Sequence, residues 1–363
     1  MIRRVITLVL AIGLAACAGE GAEQPANKRP NVIVILADDL AYSDIEPYGG
    51  EIDTPNLSRL AKAGMTFTHY HTSPMCSPSR AMLLTGVAQH RTGYGTMGEF
   101  LADNQKGQPG YEGYLNDNVT TIAQRLRGQG YRTYMSGKWH LGARSEPSVR
   151  GFDRSFTLIE GAGSHFDTSG YGTMAPTVTY LRDGKPTELP NDFYSTDAYT
   201  DELIGYLEDA HEDEREVDQP FFAYLAFSAP HWPLHAPDED IAKYEGKYSS
   251  GWDVLRERRF EALKTAGIVD ASAKIAPRHK DVPAWETLTP EQQRYQAKLM
   301  AIYAAMVDRI DQNIGRLIAH LEKTGELENT IIVLSSDIGP EAIDFTTDPI
   351  FPPATDWVAA NFD

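Results

Sequence analysis

Apolar runs with polar ends set the frame of this chain. Residues 31–37 read Asn-Val-Ile-Val-Ile-Leu-Ala and stop at Asp38 and Asp39. A continuous apolar run, where an alternating one would mark a half-exposed strand, predicts a strand covered on both faces, as in a parallel sheet. Residues 131–135, 220–227 and 330–334 repeat the pattern. Between these runs the period changes to three and four. Thr54 and Pro55 open a helix carrying Leu57, Leu60 and Ala61 and stopped at Gly64. Val119, Ile122 and Leu126 share a face that ends at Gly128 and Gly130, and residues 201–208 carry Leu203, Ile204 and Leu207. From Leu299 through Met300, Tyr303, Met306, Val307, Ile310, Ile314, Leu317 and Ile318 to Leu321, the spacing predicts one long amphipathic helix ending at Gly325. Residues 65–70 read as strand-like and 93–118 as a long glycine-rich loop. Residues 160–195 are polar and irregular, 211–218 a solvated acidic linker, and 238–290 a mixture of helix and irregular chain. Strands alternating with helices predict an α/β fold, a mostly parallel central sheet flanked by helices.

Chemistry gathers where the strands end. Asp38 and Asp39 follow the first run; Lys138 and His140, in Ser-Gly-Lys-Trp-His-Leu-Gly, lie just beyond the second; His231 follows the third and Asp337 the fourth. Each alone has a plain reading, a solvated turn or a satisfied surface group. In open α/β sheets, however, ligands sit at the carboxyl ends of the strands, and together these residues describe a cation-assisted anion site. Adjacent carboxylates suit a hard divalent cation, Ca²⁺ or Mg²⁺.

Residues 76–80, Cys-Ser-Pro-Ser-Arg, precede the apolar run Ala81 to Leu84. Ser77 can cap a helix and Pro78 fits its first turn, which puts Cys76 at a helix N-terminus where unpaired N–H groups favour anions. Arg80 adds a fixed positive fork. A thiolate phosphatase would want more residues between Cys76 and Arg80, and a buried structural cysteine is the bland alternative.

Composition narrows the partners. The net charge of −18 over 363 residues argues against nucleic acid, so an anionic substrate needs a local positive site. Arg3 and Arg4, the apolar residues 5–14 and Leu-Ala-Ala-Cys at 14–17 read as an export signal, with residues 18–30 as a flexible tether and 31–363 as one catalytic domain. Cys17 resembles a lipobox cysteine, which implies membrane contact only through a lipid and a periplasmic or outer-membrane location. A plain secretory signal is the alternative. Cys17 and Cys76 have separate uses, so no disulfide is expected.

Cys-x-Pro-x-Arg at 76–80 with Leu-Thr-Gly at 84–86, and Gly-Lys-Trp-His at 137–140, resemble the signatures of the sulfatases, and the order of motifs from 31 to 339 is similar to bacterial arylsulfatases of the alkaline-phosphatase-like superfamily. The resemblance implies that Cys76 is oxidised to formylglycine by a formylglycine-generating enzyme, and that the hydrated aldehyde is the nucleophile. It implies Asp38, Asp39, Asp337 and position 76 as Ca²⁺ ligands, Arg80 holding the formylglycine hydrate, and Lys138 bridging nucleophile and sulfate. His231 would assist the leaving alcohol and His140 would act as base when sulfate is expelled. A small sulfate ester would be the substrate and a monomer the working form; Tyr42, His165 and the loops at 93–118 and 160–195 are the candidates for shaping specificity. Two departures accompany it. Ile338 stands where family members carry an amide ligand, and family members continue through a second active-site lysine, further strands and a C-terminal subdomain. The expectation is therefore a C-terminally truncated sheet with an exposed edge and impaired stability and activity. A phosphonate or phosphate ester hydrolase and a non-catalytic lipoprotein remnant are the alternative functions.

Overall fold

A computed structural model of the protein describes residues 29–170, 176–212 and 219–341. The export signal with Cys17, nearly all of the tether and most of the acidic run lie outside the described residues.

The chain forms strands β1 (Asn31–Ala37), β2 (Arg132–Lys138), β3 (Arg154–Leu158), β4 (Tyr180–Arg182), β5 (Lys185–Pro186), β6 (Phe221–Ala226) and β7 (Thr330–Ser336). They make one sheet in the order β5-β4-β3-β2-β6-β1-β7. β3, β2, β6, β1 and β7 run parallel, while β4 pairs antiparallel with β3 and β5 antiparallel with β4. The helices are α1 (Pro55–Ala63), α2 (Cys76–Thr85), α3 (Gln89–Thr92), α4 (Ile122–Arg127), α5 (Ser195–Glu212), α6 (Asp238–Tyr244), α7 (Gly251–Thr265) and α8 (Pro290–Thr324).

Both sheet faces are covered, which is why the strands read as continuous apolar runs. Ile33, Ile35 and Ala37 share a core with Leu203 and Leu207 of α5 and with Ile310, Ile314 and Leu317 of α8. Val34 and Leu36 share the opposite core with Ala81 and Leu84 of α2 and Ala123 of α4. Burying each large aliphatic side chain contributes about 1.5–3 kcal/mol. The α8 apolar stripe carries the first core, and the helix is closed by the Thr289 and Gln292 capping box and by Gly325 at φ +74°. Among the described residues no helix is long and apolar enough to cross a membrane.

Several elements depart from the sequence pattern. Residues 65–70 form no strand, and Met65, Phe67 and Tyr70 are exposed; their short alternation has no partner strand to pair with. α2 begins at Cys76 with Met75 at the cap, so Ser77 lies inside the first turn, buried, and caps nothing. β2 runs on to Lys138, paired with Leu158, so that lysine ends the strand rather than following it. The irregular region at 160–195 holds β4 and β5, and β3 precedes it unannounced; these strands are too short to show a period. α1 is capped from far away, the Asp311 carboxylate accepting from the N–H groups of Asn56 at 3.1 Å and Leu57 at 2.8 Å. At the described edge of the sheet, Ile331 and Val333 of β7 are exposed.

Candidate functional site

The in-register pairing of β1 and β7, Ala37 opposite Ser336, brings the two acidic strand ends side by side. The pairing continues one step beyond the strands. Asp38 N–H donates to the Ala229 carbonyl at 3.1 Å and Asp337 N–H to the Ala37 carbonyl at 3.2 Å. Asp39 then turns the chain through the left-handed region at φ 65°, and its N–H donates to Asp337 Oδ1 at 3.3 Å. On β2, Gly137 has φ +119°, and a Cβ there would come within 1.9 Å of the Ala226 carbonyl oxygen. Only glycine lets β2 approach β6 so closely at the step that delivers Lys138.

Two cations thread the carboxylates. The Arg80 guanidinium, wholly buried, places Nε 2.8 Å from Asp337 Oδ2 and Nη2 3.2 Å from Asp38 Oδ1, and Nη1 donates to the Lys138 carbonyl at 2.9 Å. Lys138 Nζ pairs with Asp38 Oδ2, also wholly buried. Burial works against the ionised form of Asp38, but Lys138 and then Arg80 override it and hold the carboxyl well below its ordinary range. For Asp39 the help from Lys138 is outweighed. Neither of its carboxylate oxygens has a hydrogen-bond partner among the described residues, and the nearest cationic candidate is His231 Nε2 at 3.5 Å. Burial, with the charges of Asp38 and Asp337, pushes it well above the usual range. Asp337 is raised to about 6, by burial and then by Asp38.

Three buried carboxylates facing two buried cations leave an uncompensated negative charge, and a buried charge is costly unless it is paired or coordinates a metal. Asp38, Asp337 and Cys76 each offer one ligand atom, and these lie within 4.8 Å of one another. A hard divalent cation among them fits both the oxygen donors and the orphaned Asp39 oxygens. Sulfur is the poor member of that set, so Cys76 Sγ stands where an oxygen would serve better.

Cys76 sits at the first residue of α2 with Sγ 3.2 Å from His140 Nδ1. Burial pushes its thiol up to about 12, which works against a thiolate nucleophile at this position. His140 takes φ 53° and is buried, with Nε2 3.4 Å from Glu99 Oε1. Burial lowers both His140 and His231, the latter to about 4.

The structure thus gathers Asp38, Asp39, Cys76, Arg80, Lys138, His140, His231 and Asp337 in one cluster. Ile338 offers it only a backbone N–H, 2.9 Å from Asp337 Oδ1. Tyr42 is exposed, and His165 lies behind His231, its Nε2 3.3 Å from the His231 carbonyl and Nδ1 2.7 Å from Ser195 Oγ. Glu99 is the neighbour that sequence reasoning missed. It comes from the aperiodic loop at 93–118, where no spacing marks a carboxylate as directed inward.

Comparison with known proteins agrees with this geometry. Residues 30–349 match the family described as Sulfatase. An uncharacterized sulfatase of Schizosaccharomyces pombe is 44% identical over 332 residues, covering 88% of this chain and 59% of that protein. An arylsulfatase of Klebsiella aerogenes is 43% identical over 334 residues, covering 91% of this chain and 70% of that enzyme. Among solved structures, Ps i-CgsB in complex with k-i-k-neocarrahexaose superposes with a TM-score of 0.61 at 26% identity, covering 86% of this chain and 59% of that one. The chain therefore spans about three fifths to seven tenths of the length of these relatives.

Proposed function

Because the chain belongs to the sulfatase family, we propose that it hydrolyses sulfate monoesters, converting an aryl sulfate and water to a phenol and sulfate at the cluster around Cys76. The observation that carries this reading is the set of three buried carboxylates threaded by buried Arg80 and Lys138 at the N-terminus of the Cys76 helix. Sulfatases are generally metal-dependent and carry a formylglycine. When present, Ca²⁺ would supply positive charge beside the sulfate oxygens, and formylglycine at position 76 would supply the reacting hydroxyl.

Asp38, Asp39, Asp337 and the oxygen at position 76 would hold the cation, and water would complete the shell that Ile338 leaves open. Arg80 fixes the orientation of position 76 through the helix turn they share and balances Asp337. Lys138 Nζ, tethered to Asp38, directs its remaining donors toward the reacting oxygens, where negative charge grows as the ester bond breaks. His231 Nε2 delivers a proton to the departing alcohol oxygen; the arrival of an anion opposes the burial that keeps this histidine neutral. His140 Nδ1, facing position 76, takes the proton released there. One water in gives the phenol, the sulfate dianion and one proton, and that proton passes from His140 to solvent.

The same reading has the protein exported and held by a lipid on Cys17, matured by a formylglycine-generating enzyme, and working as a monomer. The test is mass spectrometry of the Cys76 peptide after expression with such an enzyme, alongside hydrolysis of aryl sulfate and aryl phosphonate with and without Ca²⁺. Conversion of Cys76 with Ca²⁺-dependent sulfate release supports the proposal. Faster turnover of the phosphonate transfers it to the phosphonate esterase class, and a converted protein inert toward both discards catalysis.

A further inference from the structure

His140 has two ring nitrogens and only one of them faces position 76. Nδ1 is 3.2 Å from Cys76 Sγ, and Nε2 is 3.4 Å from Glu99 Oε1. We propose that Glu99 is a positioning residue, holding a proton on His140 Nε2 so that Nδ1 keeps its lone pair toward the side chain at position 76.

Several features support this arrangement. The imidazole plane is fixed from outside the pair: a Cβ on Gly161 would lie 2.5 Å from His140 Cε1 and 2.6 Å from Nε2, so the Gly161 backbone packs against the ring, and His140 N–H donates to the Ile159 carbonyl at 3.2 Å. The Gly161 backbone thus lies close against the Cε1–Nε2 edge of the ring, where a side chain would not fit. His140 Nε2 has no hydrogen-bond partner among the described residues, and Glu99 Oε1 at 3.4 Å is the carboxylate oxygen beside it. The Glu99 side chain is 36% exposed, so its carboxylate keeps part of its hydration and its charge is not stranded as that of Asp39 is. The His140 ring beside it holds the Glu99 carboxyl down at about 2. The segment that carries Glu99 is itself seated on the site, with Met97 Sδ 3.8 Å from Cys76 Sγ. The 3.4 Å separation is long for a hydrogen bond, as catalytic contacts often are before a reactant is bound. Which nitrogen of a histidine bears the proton is set by the partner of the other, and here that partner is a carboxylate.

This inference rests on the sulfatase reading for its catalytic consequence but not for the tautomer. The first arm is long-range ¹⁵N–¹H NMR on ¹⁵N-histidine-labelled full-length protein with Cys76 left as a thiol, His140 being assigned by its loss in His140→Gln. The Nε2–H tautomer is expected in the native protein and in Glu99→Gln, whose amide oxygen still accepts. Glu99→Ala should show a mixed or Nδ1–H tautomer. An Nδ1–H tautomer in the native protein, or no change in Glu99→Ala, overturns the proposal. The second arm is turnover of an aryl sulfate by protein matured to formylglycine. Glu99→Ala should lower kcat by about 10- to 100-fold with KM within about threefold, and Glu99→Gln should recover most of the loss. A loss confined to KM, or Glu99→Gln no better than Glu99→Ala, overturns the catalytic part. Native protein that turns over no sulfate ester sinks the sulfatase reading and the catalytic part, and leaves the tautomer to the first arm.

Discussion

Arg80 donates Nε–H to Asp337 at 2.8 Å across 257 residues of sequence, with both side chains wholly buried. This pair joins the Cys76 helix to the end of β7. Removing one partner of a buried pair leaves the other charged and dry, and that costs about 3–5 kcal/mol. Arg80→Ala is expected to lower unfolding stability by that amount in urea titrations, with both Asp38 and Asp337 stranded. A loss below about 1 kcal/mol would mean that water reaches the carboxylates.

Asp39 is a buried carboxylate waiting for a cation. With Ca²⁺ at about 100 times its Kd, the protein should gain about 2.7 kcal/mol of stability, reversed by chelator. Asp39→Asn inverts the pattern. It should be more stable than the native chain in chelator, because an unpaired charge has gone, yet gain little from Ca²⁺. Thermal melts with and without Ca²⁺ read both signs, and an undiminished Ca²⁺ shift in Asp39→Asn rules out its role as a ligand.

Ile338 stands beside the carboxylates with no side-chain oxygen to offer. Ile338→Asn adds one, and calorimetric titration should show Ca²⁺ bound about tenfold more tightly, equivalent to about 1.4 kcal/mol. Unchanged affinity would place position 338 outside the coordination shell.

His165 gives the fold an acid-sensitive element. Burial, and then the neighbouring His235, lower it to about 3, below the ordinary value of about 6.5. The folded state therefore favours the neutral ring. Its contribution is complete above about pH 6.5 and is lost as the pH falls from there toward 3, because the unfolded chain binds the extra proton. His165→Gln should reduce the slope of stability against pH in that window by up to about 1.4 kcal/mol per unit. Denaturant titrations at several pH values measure it, and an unaltered slope would show that His165 is solvated in the native state.

The strand ends were legible because a parallel sheet needs continuous apolar runs and a cluster at its carboxyl edge needs polar residues directly after them. Asp38, His231 and Asp337 are legible on that basis, and Lys138 misses it by one step because it is the last residue of β2. Glu99 is not, since a loop residue is aimed by contacts such as Met97 against Cys76, which leave no period. Short β3, β4 and β5 were hidden for the same reason. The start of α2 was misplaced because Ser77 has the chemistry of a cap, whereas the chain turns at Met75. Asp311 capping α1 from α8 shows a further limit: a helix end can be satisfied by a residue far away in sequence.

The neighbouring β1 and β7 also set an order of events in time. Ala37 and Ser336, which meet at the floor of the cluster, are 299 residues apart in sequence, and closing so long a loop costs about 5 kcal/mol of chain entropy. Helices and near-neighbour strands can form before that cost is met. The carboxylate trio is therefore expected to assemble after those elements. A refolding chain should accordingly regain helical signal ahead of its affinity for a divalent cation.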